Sequence, residues 1–183
     1  MAKSSVEALG HHSSGLPLRS DTIDPMYLNA LEFLEEEREA WRPFEALDGL
    51  TNAQLDAPAE GAHGWSGRDL IGHLVAGQSM TLAVANDLAL GPESAAKQRF
   101  DAEWDAGGDA MNDRITTEWR ALPIEEVRRR LRTVPGELRG YLTVVPESRW
   151  IKHSDNLRYF IDETIDHYAD HGPDLDAILD AAR

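Results

Sequence analysis

Apolar residues along this chain recur at three- and four-residue intervals, the spacing that lines one face of a helix. Leu28, Leu31, Phe33, Leu34 and Trp41 follow it around the acidic run Glu35 to Glu37. They come after Asp24-Pro25, a capping side chain with proline in the first helical position. Pro43 is expected to kink or end this first helix. A short turn is expected over Thr51 to Leu55 and a loop over Pro58 to Gly64. Ser66 followed by Asp69 has the form of a capping box and opens a second helix, which runs to about Leu90 and is stopped by Gly91-Pro92.

The segment Glu93 to Gly108 mixes charges with Phe100 and Trp104 and shows no clear period. A third helical pattern covers about Asp109 to Ala121. Pro123 restarts it through to about Val145, and Pro135-Gly136 is expected to break that stretch in two. Pro146 to Asp155 is a connection. Asn156 to about Ala181 forms the last helix, interrupted by Gly172-Pro173. Strand patterning is nearly absent; Thr143 to Val145 is only a three-residue β-branched patch. Four long amphipathic segments predict an all-α fold class, a four-helix bundle. The expected organisation is a single domain over 24–183 behind a polar, unpatterned, disordered tail over 1–23.

Composition narrows the chemistry. The chain has 183 residues, no Cys, 18 Lys+Arg against 33 Asp+Glu, and a net charge of −15. Without cysteine it has no disulfide framework, no Cys-ligated zinc site, no iron–sulfur cluster and no thiol nucleophile of its own. The acidic balance opposes a nucleic-acid partner, which needs clustered Lys and Arg. The one basic run, Val127 to Arg132, reads as a solvated helix face diluted by Glu125, Glu126 and Glu137. No apolar stretch is long enough to span a membrane, and Met1 to Leu9 lacks the apolar core of a secretory signal. A cytoplasmic protein acting on a small-molecule substrate is the expectation. The exposed-looking Trp104 and Trp119 suggest a homodimer.

With His11 and His12 set aside in the tail, five histidines remain. His63 and His153 fall in loops and read as solvated. On a helical wheel His73 lies just inside the edge of the apolar sector holding Leu70, Leu74, Met80, Val84 and Leu88. His167 and His171 fall within the apolar face marked by Phe160, Ile161, Tyr168, Leu175 and Ile178. Residues four apart stack on one helix face about 6 Å apart, close enough for both rings to ligate one ion. A buried imidazole is also an ordinary hydrogen-bonded core group. The trio is therefore read either as core or, with a third inward ring from a facing helix, as a metal site.

The stretch Gly64-Trp65-Ser66, Asp69-Leu70, His73-Leu74 resembles the W-[ST]-x-x-[DE]-L-x-x-H-L signature of the DinB-like superfamily. Glu163 to His171, E-T-I-D-H-Y-A-D-H, resembles that superfamily's final helix, where two metal ligands stand four residues apart. Asp109 to Asn112, followed by Leu122-Pro123-Ile124-Glu125-Glu126-Val127, resembles the middle of the mycothiol-dependent maleylpyruvate isomerase and ClbS/DfsB-like branches. The resemblance covers about residue 25 to the C-terminus. It implies a bundle holding a divalent metal, often zinc or nickel, on a His triad that maps to His73, His167 and His171. In the isomerase branch the first of the late pair is typically Glu; His167 here places the site with the all-His branch. Relatives of assigned chemistry are mostly thiol S-transferases, an isomerase and hydrolase-like resistance proteins.

Three imidazoles leave a fourth position open, the layout of a catalytic zinc site. All-nitrogen ligation suits Zn, Ni, Fe or Cu. Such a site activates water for hydrolysis or holds a thiolate. The thiolate would come from a small cofactor such as bacillithiol, mycothiol or glutathione. Asp69 and Glu163 each precede a histidine by four residues and are expected to accept its outer ring N–H. Trp65 and Tyr168 either line the pocket or pack. Three readings stand: a metal-dependent thiol transferase or hydrolase, a metal-independent small-molecule binding or resistance protein, and a purely structural bundle.

Overall fold

The computed structural model describes residues 27–183. The tail expected over 1–23 and the Asp24-Pro25 helix start lie outside the described residues. Helix α1 spans Ala30–Trp41, capped by the Asn29 side chain, which accepts from the amides of Leu31 and Glu32. Pro43 lies in the 3-10 stretch Arg42–Gly49 that follows, so the helix ends where proline removes a donor. The short α2, Asn52–Asp56, is opened by a capping box between Thr51 and Gln54. Helix α3, Gly67–Leu90, starts on the expected box, with Ser66 accepting from the Asp69 amide and Asp69 returning to the Ser66 amide.

The segment without a clear period is helical. Helix α4 runs Ala95–Ala121, interrupted only at Gly107 (φ 158°), a conformation other residues rarely adopt. Its start is set across a turn: the Ser94 hydroxyl caps the Lys97 amide while Asp87 accepts from both Ser94 and the Ala96 amide. Only one narrow face of α4 is buried, including Met111, Ile115 and Trp119, so its sequence is mostly polar. Trp119 is 5% exposed, which removes it as surface support for a dimer; Trp104 is 40% exposed.

Helix α5, Ile124–Leu142, runs unbroken through Pro135, contrary to the expected break. Val134, Pro135 and Leu138 are buried, and that packing offsets the lost hydrogen bond. The basic run on α5 is not wholly solvated either. Arg128 is buried and donates to the Asp48 carbonyl (2.8 Å) and to the Asn52 side chain (3.0 Å), tying α5 to the α1–α2 connection.

The last helix is segmented into α6 (Ser154–Ile161), a π-helical turn (Asp162–Asp166), α7 (His167–Asp170) and α8 (Gly172–Ala181). Helix α3 is the central member of the bundle, packed along both α4 and α5 and touching the π turn and α8, while α1 lies against α5, the π turn and α7. The described residues hold no strand, only an isolated bridge between Pro58 and Ser66. No helix among them is long and apolar enough to cross a membrane. One apolar core gathers Trp41, Phe44, Leu70, Leu74, Trp119 and Tyr168. A second gathers Phe33, Val84, Leu142, Trp150 and Phe160.

Candidate metal centre

His73 leaves α3 two turns after its capping box. His167 opens α7, directly after the π turn, and His171 closes it. All three rings converge at the edge of the first core. One nitrogen from each lies within 4.8 Å of the others, and Nε2 of His73 stands 2.9 Å from Nε2 of His167. Ring centroids are 4.7–5.0 Å apart. Burial, reinforced by the two facing imidazoles, drives the His73 pKa down to about 2, so this ring is neutral and keeps a lone pair available.

The glycine and proline after His171 do not turn it away. Its backbone (φ −95°, ψ 6°) leaves the α-helical range, but its amide still reaches the carbonyls of His167 and Tyr168. Pro173 then sits in the first turn of α8, where a missing donor costs nothing. The break also places Asp174 three residues after His171, and its carboxylate lies 2.8 Å from Nδ1 of that ring. A carboxylate only accepts, so this contact favours an N–H on Nδ1 and the tautomer whose Nε2 can ligate.

Asp174 is the carboxylate that sequence reasoning missed. Asp69 was expected to serve His73. Instead its oxygens are taken by the Ser66 amide and hydroxyl and by a bidentate contact from Arg120 at 2.7 and 2.9 Å. Burial raises the Asp69 carboxyl, but those bonds outweigh it and hold its pKa below the ordinary value. Glu163 was expected to serve His167. Its electrostatic neighbours are Asp162, and Asp101 and Lys97 of α4, so it belongs to the α4 side of the bundle. Burial, with the two aspartates, pushes its pKa up to about 7. The signal for Asp174 was present as a carboxylate in the first turn of a helix starting at Gly172-Pro173, which only becomes meaningful once that helix is seen to start there.

Trp65 does line the site. Two left-handed residues, His63 (φ 56°) and Gly64 (φ 82°), turn the chain back. Its amide and carbonyl are then bonded to Ala62 and Ala59. The indole stacks on His171 at 5.7 Å (18° between planes) and meets His73 edge-on at 5.2 Å. Tyr168 is core, 1% exposed. His63 is exposed, and His153, also exposed, accepts from the Asn156 amide to cap α6.

The donor set suits a borderline divalent ion: three imidazole nitrogens within 4.8 Å of one another, with a carboxylate against the His171 ring. Residues 34–158, about two-thirds of the chain, match the family model described as Mycothiol maleylpyruvate isomerase N-terminal domain. That span holds His73 and ends before His167 and His171. No curated protein and no solved structure matches the chain.

Proposed function

Since the chain belongs to the mycothiol maleylpyruvate isomerase N-terminal domain family, a DinB-like group, we propose that it is a metal-dependent enzyme that joins a small thiol to an electrophile or hydrolyses a small molecule. The observation that carries this reading is the convergence of His73, His167 and His171 within 4.8 Å. A divalent ion held there, zinc or nickel, would supply Lewis acidity and lower the pKa of a thiol or water at its open position. The chain's own residues do the rest. His73 stays neutral, Asp174 favours the ligating tautomer of His171, and Trp65 shields one side of the rings from water. The chain has no Cys, so a reacting sulfur would belong to a small cofactor of the mycothiol, bacillithiol or glutathione type. In that reaction the S–H bond breaks and an S–C bond forms at the electrophile, which either expels a leaving group with its bonding electron pair while the thiol proton passes to solvent, or gives up a C=C π bond and takes a proton on the neighbouring carbon. The family description, which names mycothiol, supports the thiol over water as the first substrate to test.

The test has two arms. Metal content of the purified protein and calorimetric titration with Zn²⁺ and Ni²⁺ are measured for wild type and for His73→Ala, His167→Ala and His171→Ala. Each substitution is expected to cut occupancy sharply with circular dichroism unchanged. Then loss of a generic electrophile is followed with each thiol and with none. A triple-alanine variant that retained full metal content would refute the site. A loaded protein that turned over no electrophile, with or without thiol, would refute the enzymatic reading.

A further inference from the structure

Helix α7 opens on His167 and is capped by His171, but is only four residues long. A π turn precedes it, and the backbone leaves the helical range at His171. A single turn bounded this way takes little rigidity from its own hydrogen-bond ladder. Tyr168, between the two histidines, is anchored far more firmly. Its ring is wedged against Trp41 at 5.2 Å and Phe44 at 6.0 Å. Its hydroxyl donates to Oε1 of Glu37 (3.1 Å) and accepts from Nε2 of Gln78 (2.7 Å). Glu37 in turn accepts from Arg139 at 2.9 Å. Glu37 and Gln78 are both 0% exposed. The four groups come from four different helices, α1, α3, α5 and α7: Glu37 and Gln78 meet on the Tyr168 hydroxyl, and Arg139 joins through Glu37.

Such a network is poorly explained as a stability device. A buried ion pair is often no better than apolar residues of the same volume, and the surrounding positions are Trp, Phe and Leu. What it supplies is a fixed direction for the hydroxyl, and through it a fixed rotation of α7 about its axis. We infer that Tyr168, locked by Glu37 and Gln78, is the positioning residue that aims His167 and His171 at His73. The inference rests on the metal-site reading above, but its mechanical part does not need the metal.

The experiment compares Tyr168→Phe, which keeps the ring and loses the hydroxyl, with Gln78→Leu, which leaves the tyrosine–glutamate bond intact. Glu37→Gln, which retains an acceptor oxygen, is the conservative variant. Zn²⁺ affinity is measured by competition with a chromophoric chelator, and amide hydrogen exchange is followed on the metal-free proteins. Tyr168→Phe is expected to weaken Zn²⁺ binding about tenfold or more, the range for groups that orient ligands. It should also speed exchange at residues 167–171 about tenfold beyond any global change. Gln78→Leu, which removes one of the two bonds on the hydroxyl, is expected to lose affinity to a smaller extent than Tyr168→Phe, about threefold to fivefold, and Glu37→Gln to stay within about threefold of wild type. Should Tyr168→Phe not fold, Glu37→Leu removes the acceptor from the other side and must show the same two effects. Wild-type affinity and unchanged local exchange in the hydroxyl-deleted variant would overturn the inference, as would equal losses in all variants. If wild type bound no Zn²⁺ or Ni²⁺, the function proposed above would fall, and exchange at 167–171 would still decide the positioning role.

Discussion

Glu163 offers a sharp test of the electrostatics of this bundle. Folded, it keeps its proton to about pH 7, because burial is reinforced by Asp162 and Asp101 and only partly offset by Lys97. Unfolded, it titrates at its ordinary value of 4.5. Below pH 4.5 both states are protonated and the group contributes nothing. Between 4.5 and 7 the folded chain holds a proton that the unfolded chain has released, so raising the pH favours unfolding. Above pH 7 the whole penalty is in force. The gap between 4.5 and about 7 corresponds to roughly 3 kcal/mol at most. Glu163→Gln removes the ionisation while keeping the shape. It is expected to gain stability over wild type progressively from pH 5 to pH 8. At pH 8 the gain should approach that ceiling, less the lost attraction to Lys97. At roughly 2–4 °C per kcal/mol for a chain of this size, Tm should rise by about 5–10 °C. Urea and thermal unfolding at pH 5, 6.5 and 8, with a chelator present, measure it. Taking the difference from wild type cancels groups common to both. A variant less stable than wild type at pH 8, or a difference that did not change with pH, would show that Glu163 does not hold its proton to about pH 7 in the folded chain.

Two further outcomes follow from the packing and the site. Asp174→Asn keeps the size of the group against Nδ1 of His171 but removes its charge. Zn²⁺ affinity is expected to fall roughly 10-fold to 100-fold with Tm nearly unchanged, read by chelator competition; unchanged affinity would mean that the contact does not orient the ring. Gly72 lets α4 approach α3 so closely that an added Cβ would lie 2.8 Å from Cβ of Trp119. Gly72→Ala is expected to cost roughly 1–3 kcal/mol through overpacking, seen as a lower urea midpoint, whereas Gly77→Ala would meet only ordinary contact with the His167 ring at 3.6 Å.

Local chemistry made much of this molecule readable from its sequence. The helical period, the Ser66–Asp69 box, the stop at Gly91 and the end of α1 before Pro43 each depend on residues within one or two turns. They held for that reason. The four-residue spacing of His167 and His171 lies after the π turn, so the wheel kept both rings on one face. His73 was legible for the same reason, from its place beside Leu70 and Leu74 on α3.

The tertiary structure decided what depends on partners distant in sequence. The mostly polar α4 is helical because it lays one narrow stripe against α3, and Trp119 became core instead of surface. Pro135 stayed inside α5 because buried neighbours offset its missing hydrogen bond. Arg128 and Glu37 look like members of solvated charge runs. They are buried because Asp48, Asn52, Arg139 and Tyr168 wait for them on other helices. The carboxylates around the histidines were settled in the same way. Asp69 and Glu163 have the right spacing, but Arg120 claims the first and α4 surrounds the second, while a backbone break at His171 brings Asp174 to the ring. Sequence spacing determines which side chains share a helix face. Which of those groups meet is set by how the faces pack, and that is a property of the whole bundle.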